Sequence, residues 1–399
     1  MRVALLAVIC AALGAAAALG LGRATGLLGG STTETVVVRE PAATTATPAA
    51  RVSPPLAAAP SSGFSAARVF AERSPGVVTV FAYFGGVGAQ GSGFVVSHTG
   101  TILTNAHVIT NAGAADPGSP VKPASEVYVE FRDHDRVPAK IVGWDVFDDV
   151  GVIHVDPAGH RLTPLPLGRS ADVAVGAPVA AIGSPLGNED SLAVGVVSAV
   201  GRSIAALTAP HFQLVDAIQT DAPITHGSSG GPLLDAGGRV IGINAQIRSD
   251  SAGSSGIGFA VPIDAARRSL RELRANGHVE YAYAGLQSED LTPSLARHLG
   301  LRALHGALVD HVTSGGPAAR AGLRGGSHRV EFEGETVVAG GDVVVALDGI
   351  PVRTSDDLVR IVTNQLRPRE TALFTVVRAG RRHSIAVRLI ARPLNPRQP

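Results

Sequence analysis

The sequence predicts a mostly β protein of two or three domains. At about 150 residues per domain, the 399 residues correspond to that number. Hydrophobic residues make up 45% of the chain and charged residues 17%, so it can bury a core and is not globally disordered. The 48 glycines and 26 prolines suit many turns between short strands better than they suit a helical bundle.

Charge and cysteine content exclude several classes of function. The 34 basic and 33 acidic residues leave a net charge of +1, so the chain has no overall positive electrostatic potential that would attract nucleic acid. The single cysteine, Cys10, excludes an intrachain disulfide, a cysteine zinc finger and an iron–sulfur cluster. Without clustered metal-ligand spacings, we expect chemistry by oxygen and imidazole groups, with no metal or organic cofactor.

Residues 3–22 form an uncharged stretch between Arg2 and Arg23. A helix of about twenty residues spans about 30 Å, the hydrocarbon thickness of a bilayer, so we predict a transmembrane anchor. The alternative is a cleavable signal peptide, since Ala15 to Ala18 offer small residues at a cleavage site. With either interpretation we expect the rest of the chain to be exported. An uncleaved anchor gives a single-pass cell-membrane protein, and a cleaved signal peptide gives a secreted one.

Residues 23–63 are rich in Ala, Thr, Pro and Ser without a sustained period, which predicts a disordered linker. From Phe64 the pattern changes to short Val/Ile runs between turn signals, typical of an all-β sandwich or a pair of barrels. The predicted strands are Val77–Phe81, Gly93–Val96, Val127–Phe131, Val150–Val155, Val179–Ile182, Val194–Val200, Val240–Ile243 and Ile257–Val261.

A helix is predicted after these strands, from Asp264 as N-cap to Gly277 as C-terminal stop. Its apolar face is predicted to carry Ile263, Ala266, Leu270 and Leu273.

The segment Gly227-Ser-Ser-Gly-Gly231 places a serine between glycines. Such a serine can sit on a tight turn with its hydroxyl exposed, while neighbouring backbone N–H groups point at a developing oxyanion. This indicates Ser229 as a nucleophile. Alone, the segment also fits the nucleophile elbow of α/β-hydrolases or a plain loop.

Two further segments supply an imidazole and a carboxylate. His107 follows an apolar strand, and Asp149 opens the strand that begins at Val150. The order is His107, Asp149, Ser229, with gaps of 42 and 80 residues. This is the His-Asp-Ser order of chymotrypsin-like double β-barrels, whereas α/β-hydrolases have the order Ser-Asp-His and alternate strands with helices.

With these residues in this order, the chain resembles an HtrA/DegP-like serine protease with one C-terminal PDZ domain. The resemblance covers most of residues 64–394. The matching strings begin at Gly91 (GSGFVV), Thr104 (TNAHVI), Asp148 (DDVGV), Ala181 (AIGSPLG), Gln219 (QTDA), Gly227 (GSSGGPLL) and Gly256 (GIGFAVP). It implies a trypsin-like protease domain at 64–282, an α+β PDZ domain at 283–394 and a tail at 395–399.

Two departures from the family pattern stand out. Thr225-His-Gly-Ser228 replaces the usual Asn-Pro-Gly-Asn, which frees the backbone and adds a titratable group, His226, beside the oxyanion loop. Two neighbouring acids, Asp148 and Asp149, compete for the catalytic position. We choose Asp149, because it directly precedes Val-Gly-Val, which matches Leu-Ala-Val in the family.

The resemblance assigns further roles in the protease domain. Backbone N–H groups of Gly227, Ser228 and Ser229 are expected to form the oxyanion hole. Pro223, six positions before the nucleophile, and Ile224 are expected to form the base of the substrate pocket and to favour small or medium aliphatic residues.

The PDZ domain is expected to recognise peptide C-termini. Gly285 and Leu286 match the carboxylate-binding loop, and a helix capped by Ser355 and ending near Gln365 would form the opposite wall. We also predict a tight turn at Asp348-Gly349 and an extra hairpin over 325–340.

The resulting hypothesis is an exported serine endopeptidase that degrades unfolded, misfolded or damaged envelope proteins. The alternative is a non-catalytic PDZ adaptor or chaperone on a protease scaffold. The resemblance also implies a homotrimer built through the N-terminal part of the protease domain, to which Phe64 and Phe70 would contribute.

Overall fold

The computed structural model of the chain describes residues 63–113, 120–183, 191–206, 208–209, 212–225, 227–245 and 257–393. The predicted anchor at 3–22, nearly all of the linker at 23–63, His226 and the tail at 395–399 lie outside them. Within the described ranges, no helix has the length and apolar character needed to cross a membrane.

The first half of the fold consists of two closed β-barrels. Helix α1 (Ala66–Arg73) precedes the first, whose strands are β1 (Val77–Phe84), β2 (Val87–Val95), β3 (Thr101–Thr104), β4 (Glu126–Glu130), β5 (Arg136–Asp145) and β6 (Val150–Val155), with helix α2 (Ala106–Ile109) after β3. The second has strands β7 (Pro178–Gly183), β8 (Ser191–Ala205), β9 (Gln213–Thr220), β10 (Pro232–Leu234), β11 (Val240–Ala245) and β12 (Gly258–Pro262). The closed orders are β1-β2-β3-β6-β5-β4 and β10-β11-β12-β9-β8-β7.

These barrels confirm the predicted mostly β, double-barrel fold, and each predicted strand is present. Of the four barrel strands absent from the predicted list, β3 was indicated only as the apolar strand before His107, and the other three were missed. Strand β5 carries Arg136, Pro138 and Lys140 among its apolar residues, β9 is interrupted by Asp216, and β10 spans only Pro232–Leu234. Their backbone pairing comes from neighbouring strands rather than from a strong local pattern.

Helix α3 (Ile263–Asn276) packs its apolar face against both barrels. Its N-cap is Pro262, two residues before the predicted cap: Asp264 lies in the first turn instead, and its carboxylate accepts hydrogen bonds from Ser170 Oγ (2.8 Å) and Ala171 N (3.1 Å). Gly277 ends the helix with φ 75°, as predicted.

The remainder forms an α+β unit. Its elements are β13 (Ala282–Tyr283), β14 (Leu286–Leu291), α4 (Pro293–His298), β15 (Gly306–Val312), α5 (Pro317–Ala321), β16 (His328–Phe332), β17 (Glu335–Ala339), β18 (Val343–Leu347), β19 (Ile350–Pro351), α6 (Ser355–Gln365), β20 (Thr371–Arg378), β21 (Arg381–Arg388) and β22 (Ile390–Ala391). The main sheet has the order β14-β15-β18-β20-β21, so β14 and β21 are its edges. The predicted hairpin is confirmed as β16–β17.

Two details of this unit depend on side-chain hydrogen bonds. Helix α6 begins one residue earlier than predicted, because Thr354 and not Ser355 is its N-cap: the Thr354 side chain accepts from Asp357 N, and the Asp357 side chain accepts from Thr354 N, a capping box. Ser355 instead donates its hydroxyl to the carbonyl of Ser288 (2.8 Å), which ties α6 to the edge strand β14.

Candidate active site

The three predicted catalytic residues come from both barrels. His107 lies in α2, directly after β3; Asp149 lies in the turn between β5 and β6; and Ser229 lies in the loop between β9 and β10. Ser92 of β2 joins this loop to the first barrel, because its N–H donates to the Ser229 carbonyl (2.8 Å) and its hydroxyl donates to the Gly227 carbonyl (2.6 Å).

His107 and Asp149 form a double contact. His107 Nδ1 lies 2.7 Å from Asp149 Oδ2, and the His107 backbone N–H donates to Asp149 Oδ1 at 3.0 Å. The Asn105 amide also donates to the Asp149 carbonyl at 2.8 Å. Asp149 has φ 51°, in the left-handed region that aspartate tolerates better than most residues. The two hydrogen bonds between Asp149 and His107, together with the hydrogen bond from Asn105 to the Asp149 carbonyl, orient the Asp149 carboxylate toward the imidazole.

The environment of His107 sets its protonation. Burial disfavours the charged imidazolium, but the negative charge and the hydrogen bond of Asp149 outweigh burial and raise the pKa of His107 above 6.5. With Nδ1 engaged by the carboxylate, Nε2 is the ring nitrogen available for a proton from a nucleophile.

Asp148, the competing acid, faces the other way. Its Oδ2 accepts hydrogen bonds from Arg268 Nη2 (2.6 Å) and Tyr281 OH (2.8 Å). Asp149, and not Asp148, is therefore the carboxylate that contacts His107, and its catalytic role stays a prediction.

The serine loop is closed by backbone bonds. Gly230 N donates to Asn244 O (2.9 Å), and Gly231 N donates to Ser228 O (3.1 Å). Gly230 has φ 87°, and a Cβ there would lie 2.1 Å from the Ser92 carbonyl oxygen, so only glycine fits. Ser228 N donates to Thr225 O at 3.0 Å and is therefore used within the turn. Of the three predicted oxyanion donors, we retain Gly227 and Ser229 as the proposal.

The predicted pocket residues lie on the approach to this loop. Pro223 is exposed, and Ile224 is half-buried against β12, where a Cβ on Gly258 would lie 2.9 Å from the Ile224 side chain. Their role in specificity stays a prediction.

Sequence reasoning missed a buried polar network behind Asp149. Asp145 Oδ2 accepts from Ser269 Oγ (2.7 Å), and the single Tyr281 hydroxyl proton is shared between Asp145 Oδ2 and Asp148 Oδ2. Burial, followed by the charge of Asp148, raises the pKa of Asp145 to about 6, although Tyr281, Ser269 and Arg268 oppose the shift. Arg268 and Ser269 are buried although neither belongs to the apolar face predicted for α3, so the local pattern gave no signal of their burial.

The same network reaches helix α6. Arg268 Nη1 donates to the Thr363 carbonyl and to Asn364 Oδ1, both at 3.1 Å. Asp216 of β9 accepts from Arg360 Nε and Asn364 Nδ2, both at 2.8 Å. Side chains of α3 and β9 thus hold one side of α6.

The predicted carboxylate loop and helix α6 line a shared cavity of about 630 Å³. Gly285 has φ 74°, and its carbonyl accepts from Thr313 N (2.9 Å). Leu286 begins the edge strand β14, opposite Leu358 and Val362 of α6. The cavity lies where the sequence predicts a peptide groove, and its binding role stays a prediction.

Comparisons with known proteins agree with this architecture. Residues 91–243 match the trypsin-like peptidase domain, and residues 282–389 match the PDZ domain. The "Probable periplasmic serine endoprotease DegP-like" of Pseudomonas fluorescens is 37% identical over 303 residues, which cover 76% of this chain and 56% of that protein. The chain therefore spans just over half the length of that relative.

Two other proteins match over most of their own length. The "Putative serine protease HhoA" of Synechocystis is 37% identical over 309 residues, covering 75% of this chain and 70% of that protein. The solved structure "HtrA-type protease AlgW with tripeptide" superposes with a TM-score of 0.68 at 32% identity, covering 82% of this chain and 98% of that one. With both domains and most of a relative's length matched at this identity, the chain belongs to the HtrA/DegP-like family of PDZ-containing serine proteases.

Proposed function

We propose that the protein is an exported serine endopeptidase that degrades misfolded or damaged envelope proteins. The observation that carries the proposal is the double contact of Asp149 with His107, at 2.7 and 3.0 Å, beside a serine loop bonded to the same barrel through Ser92. A family relative named as a periplasmic endoprotease supports the same reaction and an extracytoplasmic location.

In the proposed mechanism, Ser229 Oγ attacks the carbonyl carbon of a peptide bond and its proton passes to His107 Nε2. Asp149 holds Nδ1–H and stabilises the imidazolium. The backbone N–H groups of Gly227 and Ser229 bind the tetrahedral oxyanion. His107 then protonates the leaving amine, which departs as the C–N bond breaks. Water, deprotonated by His107, hydrolyses the acyl-enzyme and restores the Ser229 hydroxyl.

The PDZ domain is proposed to bind the free C-termini of polypeptides. Strand β14 is a sheet edge, so an extended peptide can add to it, and helix α6 forms the facing wall. A peptide in this groove would contact α6, the helix that bonds to Arg268 and Asp216.

Export and assembly are proposed from the sequence and the family. The uncharged residues 3–22 would act as a single-pass anchor, or as a signal segment if cleaved. A homotrimer is proposed through the N-terminal part of the protease domain. Phe64 and Phe70 are both partly buried against the core of the barrels.

Active-site labelling tests the endopeptidase proposal. The purified protein should react with a fluorophosphonate and hydrolyse unfolded casein, and Ser229→Ala should abolish both. Ser228→Ala is the matched control and should retain them. A wild-type protein that shows neither labelling nor hydrolysis at pH 5–9, with or without PDZ-binding peptides, would favour the adaptor or chaperone alternative.

A further inference from the structure

Arg392 lies beside the carboxylate loop because of strand pairing. Strand β22 runs antiparallel to β13 with Ala391 opposite Ala282, and Arg392 N donates to the Tyr281 carbonyl at 2.8 Å. Since β13 leads directly into Gly285 and Leu286, this pairing brings Arg392 onto the wall of the cavity that those two residues line.

Three aromatic rings enclose the Arg392 guanidinium. Its central carbon lies 5.2 Å from the ring centre of Phe147, 5.1 Å from that of Phe212 and 5.0 Å from that of Tyr281. Rings favour the cation but accept no in-plane N–H bond, so this enclosure fixes the group and leaves its donors to be satisfied elsewhere.

The Arg392 donors are incompletely satisfied. Nη2 donates to Thr363 Oγ1 at 2.8 Å, whereas Nε is buried and has no hydrogen-bond partner among the described residues. The nearby carboxylates of Asp145 and Asp148 accept hydrogen bonds from Arg268, Ser269 and Tyr281 instead. Because Nε is enclosed, the donors that remain for a ligand on the cavity wall are N–H groups of the two terminal nitrogens, Nη1 and Nη2, and such a cation suits an anionic ligand.

We infer that Arg392 is a ligand of the peptide's C-terminal carboxylate, acting with the backbone N–H groups of Gly285 and Leu286. The inference rests on the proposed binding of chain ends in this groove. The last side chain of the peptide would lie against Leu358, Val362 and Phe374, which line the same cavity. A guanidinium matches a carboxylate with two parallel N–H donors, so Arg392 would select a free chain end over an internal segment or an amidated end.

The test measures the affinity of two labelled peptides by fluorescence anisotropy. Both end in valine, one with a free carboxylate and one with a carboxamide, and the protein is the full chain with Ser229→Ala to prevent hydrolysis. Adding Arg392→Met keeps an unbranched apolar side chain among the rings. Arg392→Met should weaken binding of the peptide with the free carboxylate about 10- to 100-fold and binding of the amidated peptide less than about twofold. Arg382→Met, on the opposite edge strand β21, is the matched control and should change neither affinity.

Each other outcome overturns the inference. Equal weakening of both peptides would mean that Arg392 only holds the interface together, and unchanged binding would mean that it does not contact the ligand; the proposed peptide recognition survives both. If the Ser229→Ala protein binds neither peptide, the proposed recognition of chain ends fails and the inference with it.

A second variant, Arg392→Lys, tests the inference if Arg392→Met fails to fold. It keeps the positive charge but lacks the planar pair of N–H donors. Its acid-to-amide preference should fall while its melting temperature stays close to that of the Ser229→Ala protein, and an unchanged preference would count against Arg392.

Discussion

Arg268 Nη2 lies 2.6 Å from the carboxylate of Asp148, the residue directly before the Asp149 that contacts His107. Both partners are buried, with side-chain exposures of 10% and 4%. Arg268 therefore links the turn that carries the proposed catalytic aspartate to helix α3, and through Thr363 and Asn364 to helix α6.

Removal of the guanidinium should destabilise the protein. Arg268→Met leaves Asp148 buried without its cation, which typically costs on the order of 3–5 kcal/mol. Urea unfolding measures the loss, and Arg271→Met, at an exposed position of the same helix, should cost less than about 0.5 kcal/mol. Equal losses in both variants would show that the ion pair is not the cause.

Substitution of the two neighbouring aspartates should lower kcat by very different factors. Asp149→Asn should lower kcat by about 10⁴, because an amide cannot hold the productive tautomer of His107. Asp148→Asn should lower kcat less than about tenfold, since its contacts are to Arg268 and Tyr281. Hydrolysis of an unfolded substrate measures both variants, and a larger loss in Asp148→Asn would reverse the assignment.

Asp145 should give a pH-dependent stability. Its pKa is about 6 in the folded protein against 3.8 as the ordinary value, so the folded state holds the extra proton between these values. Stability from this group is present below pH 3.8 and is lost as pH rises through about 6. The difference in unfolding free energy between wild type and Asp145→Asn should fall by about 2 kcal/mol from pH 4.5 to 7.5. A constant or rising difference would contradict this environment for Asp145.

Activity should rise as His107 loses its proton. Because Asp149 raises the pKa of His107 above 6.5, the midpoint of the pH–kcat/KM profile should lie above 6.5. Asp149→Asn removes the negative charge, so the residual activity should show a lower midpoint. His226→Pro controls for a second titrating group, and a midpoint unmoved by Asp149→Asn would mean that another residue sets the profile.

Cleavage should follow small or medium aliphatic residues. Pro223 and Ile224 offer no acid at the predicted pocket base to pair with a basic side chain. Mass spectrometry of digested unfolded casein maps the sites, which should lie mainly after Val, Ala or Leu. A majority after Lys or Arg would refute the pocket assignment, provided that Ser229→Ala gives no cuts.

The sequence alone determined the two-barrel fold, the β16–β17 hairpin and the order of His107, Asp149 and Ser229. These features depend on local information: apolar alternation marks strands, glycines mark the serine loop, and residue order identifies the catalytic architecture. Local patterns also placed the cap of α3 two residues, and the cap of α6 one residue, from the observed position. The choice between Thr354 and Ser355 as the cap of α6 depended on which hydroxyl faces β14.

Tertiary structure decided which buried polar groups meet. Arg268 contacts residues 120 positions earlier and 95 positions later in the chain, and Tyr281 reaches Asp145 across 136 positions. Sequence reasoning predicted one apolar face for α3 and did not predict that Arg268 and Ser269 are buried, because a buried Arg or Ser becomes favourable only when distant carboxylates and carbonyls satisfy it. The enclosure of Arg392 by Phe147, Phe212 and Tyr281 has the same origin: its partners lie on separate elements that only the folded chain brings together.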